Sequence, residues 1–218
     1  MVASNTIIGV VLAGGRSSRM GGGDKALREL GGEPMLAHVI ERLKPQVSDI
    51  VISANGDPAR FAAFGLPVVA DSLAEFQGPL AGIEAGLVWV AANYPGVPTV
   101  VTVPGDTPFI PDDLVRRLTE AANGATMAVA RTDEGVHPVV GLWPLPMAGD
   151  LTAGLASGLR KASRWAEMQG AREVFFPPIE IGAGRSTPSS TSTGRKISPR
   201  PTLCWRRTLK RRRFRACP

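Results

Sequence analysis

The residues best suited to chemistry lie in one stretch, Leu12 to Lys25, LAGGRSSRMGGGDK. It combines Gly14-Gly15, glycines at 21–23, two serines, Arg16, Arg19 and Lys25. Glycines let a backbone approach a ligand closely, and successive exposed N–H groups form an anion nest. Arginine and lysine add charge-assisted hydrogen bonds to phosphate oxygens. The stretch therefore reads as a polyphosphate loop rather than as a plain surface loop. It is not a Walker A loop, because Lys25 is followed by Ala26 where a magnesium-binding hydroxyl is required, and the dinucleotide G-x-G-x-x-G is absent. A second candidate is Asp106, in Pro104-Gly105-Asp106-Thr107-Pro108. It follows the most β-prone run of the chain, Thr99-Val100-Val101-Thr102-Val103. A carboxylate at the end of a central strand suits Mg2+ held against triphosphate oxygens, with an Asx-turn role as the alternative.

Elements able to position these residues can be read around them. Ile7 to Leu12 is an apolar run that predicts a buried parallel strand feeding the loop. Apolar residues at 35, 36, 39, 40 and 43 predict a helix over 35–45, with Pro34 at its opening and His38 on its surface or in its packing. Residues 49–54 predict a second strand ended by the turn cluster Asn55-Gly56-Asp57-Pro58, and 67–70 a third ended by Asp71. A helix is expected from the Gly78-Pro79 pair through Val90, and another over 112–122, where Asp112 and Asp113 suit the N-terminal dipole. Residues 126–130 and 139–143 predict strands separated by a loop, 135–138, holding His137. A helix is expected over 150–170 and a last strand over 173–176. Arg160 to Arg164 form a basic face that suits an anionic ligand or, equally, plain solvation.

The loop, DSLAEFQGPLAG (71–82), PGDTPFIP (104–111) and HPVVGLWP (137–144) are four separated motifs. Together they resemble the nucleotidyltransferases of molybdenum cofactor synthesis, the MobA-type molybdenum cofactor guanylyltransferases. The resemblance spans residues 7 to about 180 and implies an α/β chain with a three-layer, Rossmann-like fold. In that fold a mostly parallel central sheet carries helices on both faces. It implies transfer of GMP from GTP to molybdenum-bound molybdopterin, with release of pyrophosphate and with Mg2+ as cofactor. It further implies that Leu12, Ala13, Gly14, Gly15, Lys25, Asn55, Asp71, Gly78 and Asp106 bind nucleotide. Lys25, Arg19 and Asp106 would carry catalysis, Asp106 the metal, and His137 a place beside the pterin acceptor. Asn55 keeps one position of the family's Asn-x-Asn pattern, whose first position is Ser53 here. Molybdenum-insertion proteins and molybdoenzyme chaperones are the protein partners the resemblance implies. Two alternatives belong to other branches: a sister transferase using CTP or a sugar-phosphate acceptor, and a nucleotide-sensing domain whose tail binds nucleic acid.

Charge and composition bear on that last alternative. The net charge is +6 and the sequence pI about 10, which by itself suggests a nucleic-acid partner. Yet eleven of the 25 basic side chains lie in 183–218 with none of the 19 acidic ones, leaving residues 1–182 with 14 basic against 19 acidic, a net of −5. The body is acidic, so nucleic acid is not the expected partner. Residues 1–182 are expected to form the nucleotidyltransferase domain and 183–218 a basic, disordered tail. No apolar run is long enough to span a bilayer and residues 1–6 are no signal peptide, so a cytoplasmic location is expected. Both cysteines, Cys204 and Cys217, are in the tail, which leaves the body without a disulfide or thiolate metal site.

The tail carries a second message. With the reading frame moved one base upstream from Thr187, each new codon takes its last two bases from the first two bases of the residue present. Residues 187–207, TPSSTSTGRKISPRPTLCWRR, then permit DPFFNINRPEDLAEADALLEE. That string has a helix-start pattern, Pro-Glu-Asp, ahead of an amphipathic run. It resembles the family's usual ending, an asparagine loop and a closing helix. A frameshifted C-terminus is therefore expected, with a lineage-specific basic tail as the alternative.

Overall fold

The computed structural model describes residues 6–14, 24–71, 78–123 and 126–177. Gly15 and Arg19 lie outside the described residues, as does the whole of 183–218.

Seven strands form the central sheet: β1 (Ile7–Leu12), β4 (Asp49–Ser53), β5 (Val68–Val69), β6 (Thr99–Pro104), β7 (Ala128–Thr132), β8 (Gly135–Pro144) and β9 (Arg172–Phe175). A small antiparallel pair, β2 (Glu29–Leu30) and β3 (Glu33–Pro34), stands apart from it. The sheet order is β5-β4-β1-β6-β8-β7-β9. β8 pairs antiparallel with both neighbours, and every other pairing is parallel. The order reverses at β1, which has β4 on one side and β6 on the other. Such a switch point leaves a crevice at the carboxyl ends of the strands.

Strand alternation divides the core into two layers. Ile7 and Val11 of β1 and Val101 and Val103 of β6 face one side, where α1 (Met35–Leu43) and α3 (Leu114–Ala122) pack. Ile8, Val10 and Val100 face the other, against α2 (Pro79–Asn93), α4 (Ala148–Ala156) and α5 (Ala162–Met168). The three layers and the mostly parallel sheet agree with the expectation from sequence. β1 and β6 read as nearly unbroken apolar runs because both their faces are covered.

α2 sits unusually close to the sheet. A Cβ on Gly86 would lie 2.6 Å from Val10 Cγ1, and one on Gly82 would lie 2.8 Å from Ser53 Oγ. Two glycines one turn apart thus let this helix rest directly on β1 and β4. Its N-cap, Gly78, has φ +79°, which explains the glycine before Pro79 at the first helical position. At the far end Tyr94 donates its hydroxyl to the Asp49 carboxylate and fixes α2 to the start of β4.

Three expectations change. The helix expected over 150–170 is two helices, because Gly158 at φ +92° ends α4 and its N–H bonds to Leu155 O. The intervening residues 157–161 turn Arg160 and Lys161 toward the sheet edge. His137 lies not in a loop but within β8, opposite Ala130. The hairpin reaches back to Gly135, and Pro138 falls in the irregular stretch where the β7–β8 register shifts, so its missing N–H breaks no regular ladder. Finally, α3 starts at Leu114; Asp113 is its N-cap without a side-chain cap bond and pairs with Arg116. His38 is a packing residue as expected, its Nε2 2.8 Å from Leu30 O.

Candidate active site

The register of the four parallel strands sets one row across the sheet. Leu12 stands opposite both Ser53 and Pro104, and Ser53 opposite Val69. Two residues beyond that row, each chain reaches a position singled out from sequence: Gly14 after β1, Asn55 after β4, Asp71 after β5 and Asp106 after β6. Backbone bonds close the row, with Gly105 N–H donating to Leu12 O at 2.9 Å and Ala13 N–H to Ser53 O at 2.8 Å. Leu12, Ala13 and Gly14 therefore lead out of the switch-point crevice as one edge of the site.

On the β4–β5 side the polar groups hold one another. Asn55 Nδ2 donates to Asp71 Oδ2 at 2.8 Å, and Asp71 N–H donates to Asn55 Oδ1 at 2.7 Å. A Cβ on Gly82 would stand 3.5 Å from Asp71 Oδ1, so the close approach of α2 also seats this carboxylate. Burial pushes the Asp71 carboxyl up from its ordinary value, the Asn55 hydrogen bond opposes the shift, and the nearby Glu84 carboxylate adds to it. Glu84 is itself buried and accepts a hydrogen bond from Thr152 Oγ1 at 2.6 Å.

On the β1–β6 side Asp106 is exposed and makes no hydrogen bond or ion pair with another described residue. The short 3-10 turn Lys25–Leu27 rests against the preceding Gly105, where a Cβ would be 3.1 Å from Ala26 Cβ. Lys25 is exposed at the head of this turn. Asp24, just before it, forms an ion pair with Arg60 Nε at 2.5 Å.

A cleft of about 510 Å³ adjoins the row at Pro104. Its walls include Thr107, His137, Val139, Arg160 and Lys161, with Pro79 of α2 at one side. Thr132 Oγ1 and His137 Nε2 are 2.7 Å apart, which fixes the imidazole within the hairpin. Gly78 borders the same region, since a Cβ there would lie 3.6 Å from Arg160 O. The break between α4 and α5 is what delivers two cations to a cleft whose other polar walls are His137, Thr107, Glu134 and Ser163.

Sequence reasoning missed Thr107 and Glu134 in this cleft, and the Asp24–Arg60 pair. Thr107 lay inside a quoted motif and was passed over beside Asp106. Arg60 stood as a lone cation in the apolar stretch Pro58–Phe64, which was itself a usable indication.

A sheet with its switch point at a glycine-rich loop, an exposed carboxylate on the adjoining strand and a basic cleft beside them defines a nucleotidyltransferase-like α/β protein. Residues 9–174 match the family model described as MobA-like NTP transferase domain. The chain is 52% identical over 171 residues to a molybdenum cofactor guanylyltransferase from Cereibacter sphaeroides, covering 78% of this chain and 86% of that protein. The fold is shared with molybdopterin-guanine dinucleotide biosynthesis protein A from Archaeoglobus fulgidus, with TM-score 0.58, 20% identity, and 78% of this chain and 83% of that one covered. It is shared too with Rv0371C from Mycobacterium tuberculosis H37Rv, solved in complex with manganese, with TM-score 0.58, 21% identity, and coverage of 79% and 89%. This chain belongs to the MobA-like NTP transferase family.

Proposed function

We propose that this chain transfers GMP from GTP to the terminal phosphate of molybdenum-bound molybdopterin and releases pyrophosphate. The observation that carries the reading is the row of Gly14, Asn55, Asp71 and Asp106, two residues past an in-register line of strands and beside a basic cleft. Identity with guanylyltransferases over most of the chain supports the choice of nucleotide and acceptor.

In this reading Gly14, Gly15, Arg19 and Lys25 surround the triphosphate, and Asp71, steadied by Asn55, faces the guanosine. The acceptor phosphate lies in the cleft near His137, with Arg160 and Lys161 meeting its charge. One of its oxygens attacks the α-phosphorus of GTP. The bond from that phosphorus to the α–β bridging oxygen breaks, and pyrophosphate leaves with the electron pair. Both substrates arrive ionised, so no side-chain nucleophile is required; the chain contributes alignment and charge neutralisation. Among the described residues no group of three or more His, Cys, Asp or Glu gathers for a metal. One carboxylate completed by phosphate oxygens is how Mg2+ is commonly held, and the exposed Asp106 fits that donor set. Bound there, Mg2+ would lower the charge repulsion between the triphosphate and its attacker.

The proposal extends to location and organisation. No helix among the described residues is long and apolar enough to cross a membrane, in keeping with a cytoplasmic enzyme that meets molybdenum-insertion proteins and molybdoenzyme chaperones. Residues 1–182 would form the catalytic domain and 183–218 a frameshifted end. Sequencing the gene and its flanking DNA tests the last point, and an unbroken frame lacking the DPFFNINRPEDL string would refute it. The function itself is tested by binding GTP, CTP, ATP and UTP with Mg2+ and then assaying guanylyl transfer. Tighter binding of CTP than of GTP would refute the guanylyl reading.

A further inference from the structure

Arg60 lies on the 3-10 helix Pro58–Phe64, whose first turn is fixed by Asp57 Oδ1 accepting from Ala59 N–H at 2.9 Å. Its guanidinium reaches two separate parts of the site. Nε lies in an ion pair with the carboxylate of Asp24, next to Lys25, without a hydrogen bond of its own, and an Nη2 hydrogen donates to the main-chain carbonyl of Asn55. The side chains are only 27% exposed for Arg60 and 18% for Asp24, so the pair is screened less than a surface one. The carbon of the guanidinium also stands 4.7 Å from the centre of the buried Phe61 ring. Space for this placement is provided in the backbone. Gly56 has φ +89°, and a Cβ there would lie 2.9 Å from Arg60 Nη1.

We propose that Arg60 is a positioning residue that joins the phosphate side of the nucleotide site to its nucleoside side. With one planar group it holds Asp24 and the Asn55–Asp71 clasp in register. The inference rests on the nucleotide reading above. A planar guanidinium can lay its charge against Asp24 while aiming one N–H at Asn55 O; a lysine ammonium has charge but no such fixed geometry. Arg60 also neutralises Asp24, which otherwise would set a negative charge beside a triphosphate. The two roles make different predictions. If neutralisation were all, removing Asp24 as well would cancel the damage. If Arg60 steadies Asn55, the nucleoside side stays damaged whether or not Asp24 is charged.

The test measures binding of GTP, GMP and tripolyphosphate to the full chain with Mg2+ by calorimetry. Arg60→Met keeps the aliphatic stem over Phe61 and should weaken GTP, GMP and tripolyphosphate, GMP by about tenfold for one charged hydrogen bond lost. The double variant Asp24→Asn with Arg60→Met should recover tripolyphosphate binding but not GMP binding. Arg60→Lys should leave GMP binding at least fivefold weaker than wild type, on the order of the bond lost. Gly56→Ala, which displaces the guanidinium without removing it, should weaken GMP as well and gives an independent reading if Arg60→Met folds poorly. GMP affinity within about twofold of wild type in Arg60→Met, or in Gly56→Ala if Arg60→Met does not fold, overturns the inference, as does full recovery of GMP binding in the double variant. Those results with GTP still bound by the wild-type chain would refute the role of Arg60 alone. No GTP binding by wild type would overturn the functional reading and this inference together.

Discussion

Thr102 is a polar residue in the middle of the most β-prone strand, and replacing it with valine tests how the two parts of the site are joined. The hydroxyl is fully buried. It donates to Val139 O at 2.7 Å and accepts from Trp143 Nε1 at 2.8 Å. Val139 lies in the stretch of β8 where the ladder with β7 is interrupted, so the hydroxyl supplies a bond to a carbonyl outside the regular pairing. Thr102→Val keeps the shape and removes both bonds, leaving a buried donor and a buried acceptor without this partner. Each such group costs about 1–3 kcal/mol, and the added methyl returns a little under 1 kcal/mol. The expected loss is about 1–5 kcal/mol, or roughly 2–20 °C in Tm for a chain of this size. Urea unfolding with a fixed m-value is the assay. GTP affinity should change by less than about twofold, because Gly14, Asn55 and Asp71 follow other strands and Asp106 stands four residues beyond Thr102, past the end of β6. Acceptor KM should rise as Val139 and His137 shift. A loss below about 1 kcal/mol would refute this account of the β6–β8 connection.

Other substitutions probe the row itself. Asp106→Ala should abolish transfer while leaving Tm within about 1–2 °C, since the side chain is exposed and bonds to no described residue; the check is turnover across a magnesium titration beside a melting curve. Lys25→Ala should weaken GTP by at least about tenfold more than GMP, read by calorimetry; equal losses would move Lys25 away from the β- and γ-phosphates. The Asp71 carboxyl loses its proton at a higher pH in the folded chain than near 3.8, its ordinary value, chiefly through burial. Folding therefore takes up a proton between that pH and the raised folded value, and the stability tied to the protonated group is lost as pH rises through the folded value. Asp71→Asn should gain on wild type in urea unfolding from about pH 4 upward while losing GTP affinity at every pH.

Much of the site was legible because each parallel strand announces its end. Ile7–Leu12 stops at glycines, Asp49–Ser53 at Asn55-Gly56, and Thr99–Pro104 at Gly105-Asp106, so polar residues cluster where the apolar runs cease. What the sequence does not display is register. Nothing local says that Leu12, Ser53, Val69 and Pro104 stand side by side, because that follows from hydrogen bonds between segments far apart in the chain. Arg60 was missed in part for the same reason: its contact with Asn55 is local, five residues away, but Asp24 comes from a distant part of the chain. The early part of β8 was read as a loop because Gly135 and Pro138 are breakers locally, whereas the hairpin tolerates both. The 150–170 segment has helical residues on both sides of Gly158, and one backbone angle decides that it breaks.

Among the described strands of the central sheet, β8 runs against the rest, and this has an evolutionary consequence. Because it is reversed, its early residues, not its last, reach the sheet edge where Asp106 stands. The wall of the cleft is thus the irregular early part of β8, Val136 to Val140, supported by β7 and α5. The proposed nucleotide edge belongs to β5, β4, β1 and β6, which meet the cleft at Pro104 and Thr107 but contribute none of its β8 wall. Drift in 134–140 or 157–163 can reshape what enters the cleft while the other four strands keep their alignment. A lineage built this way can change acceptor and retain its donor, which is an inheritance pattern suited to a scaffold serving many transferases.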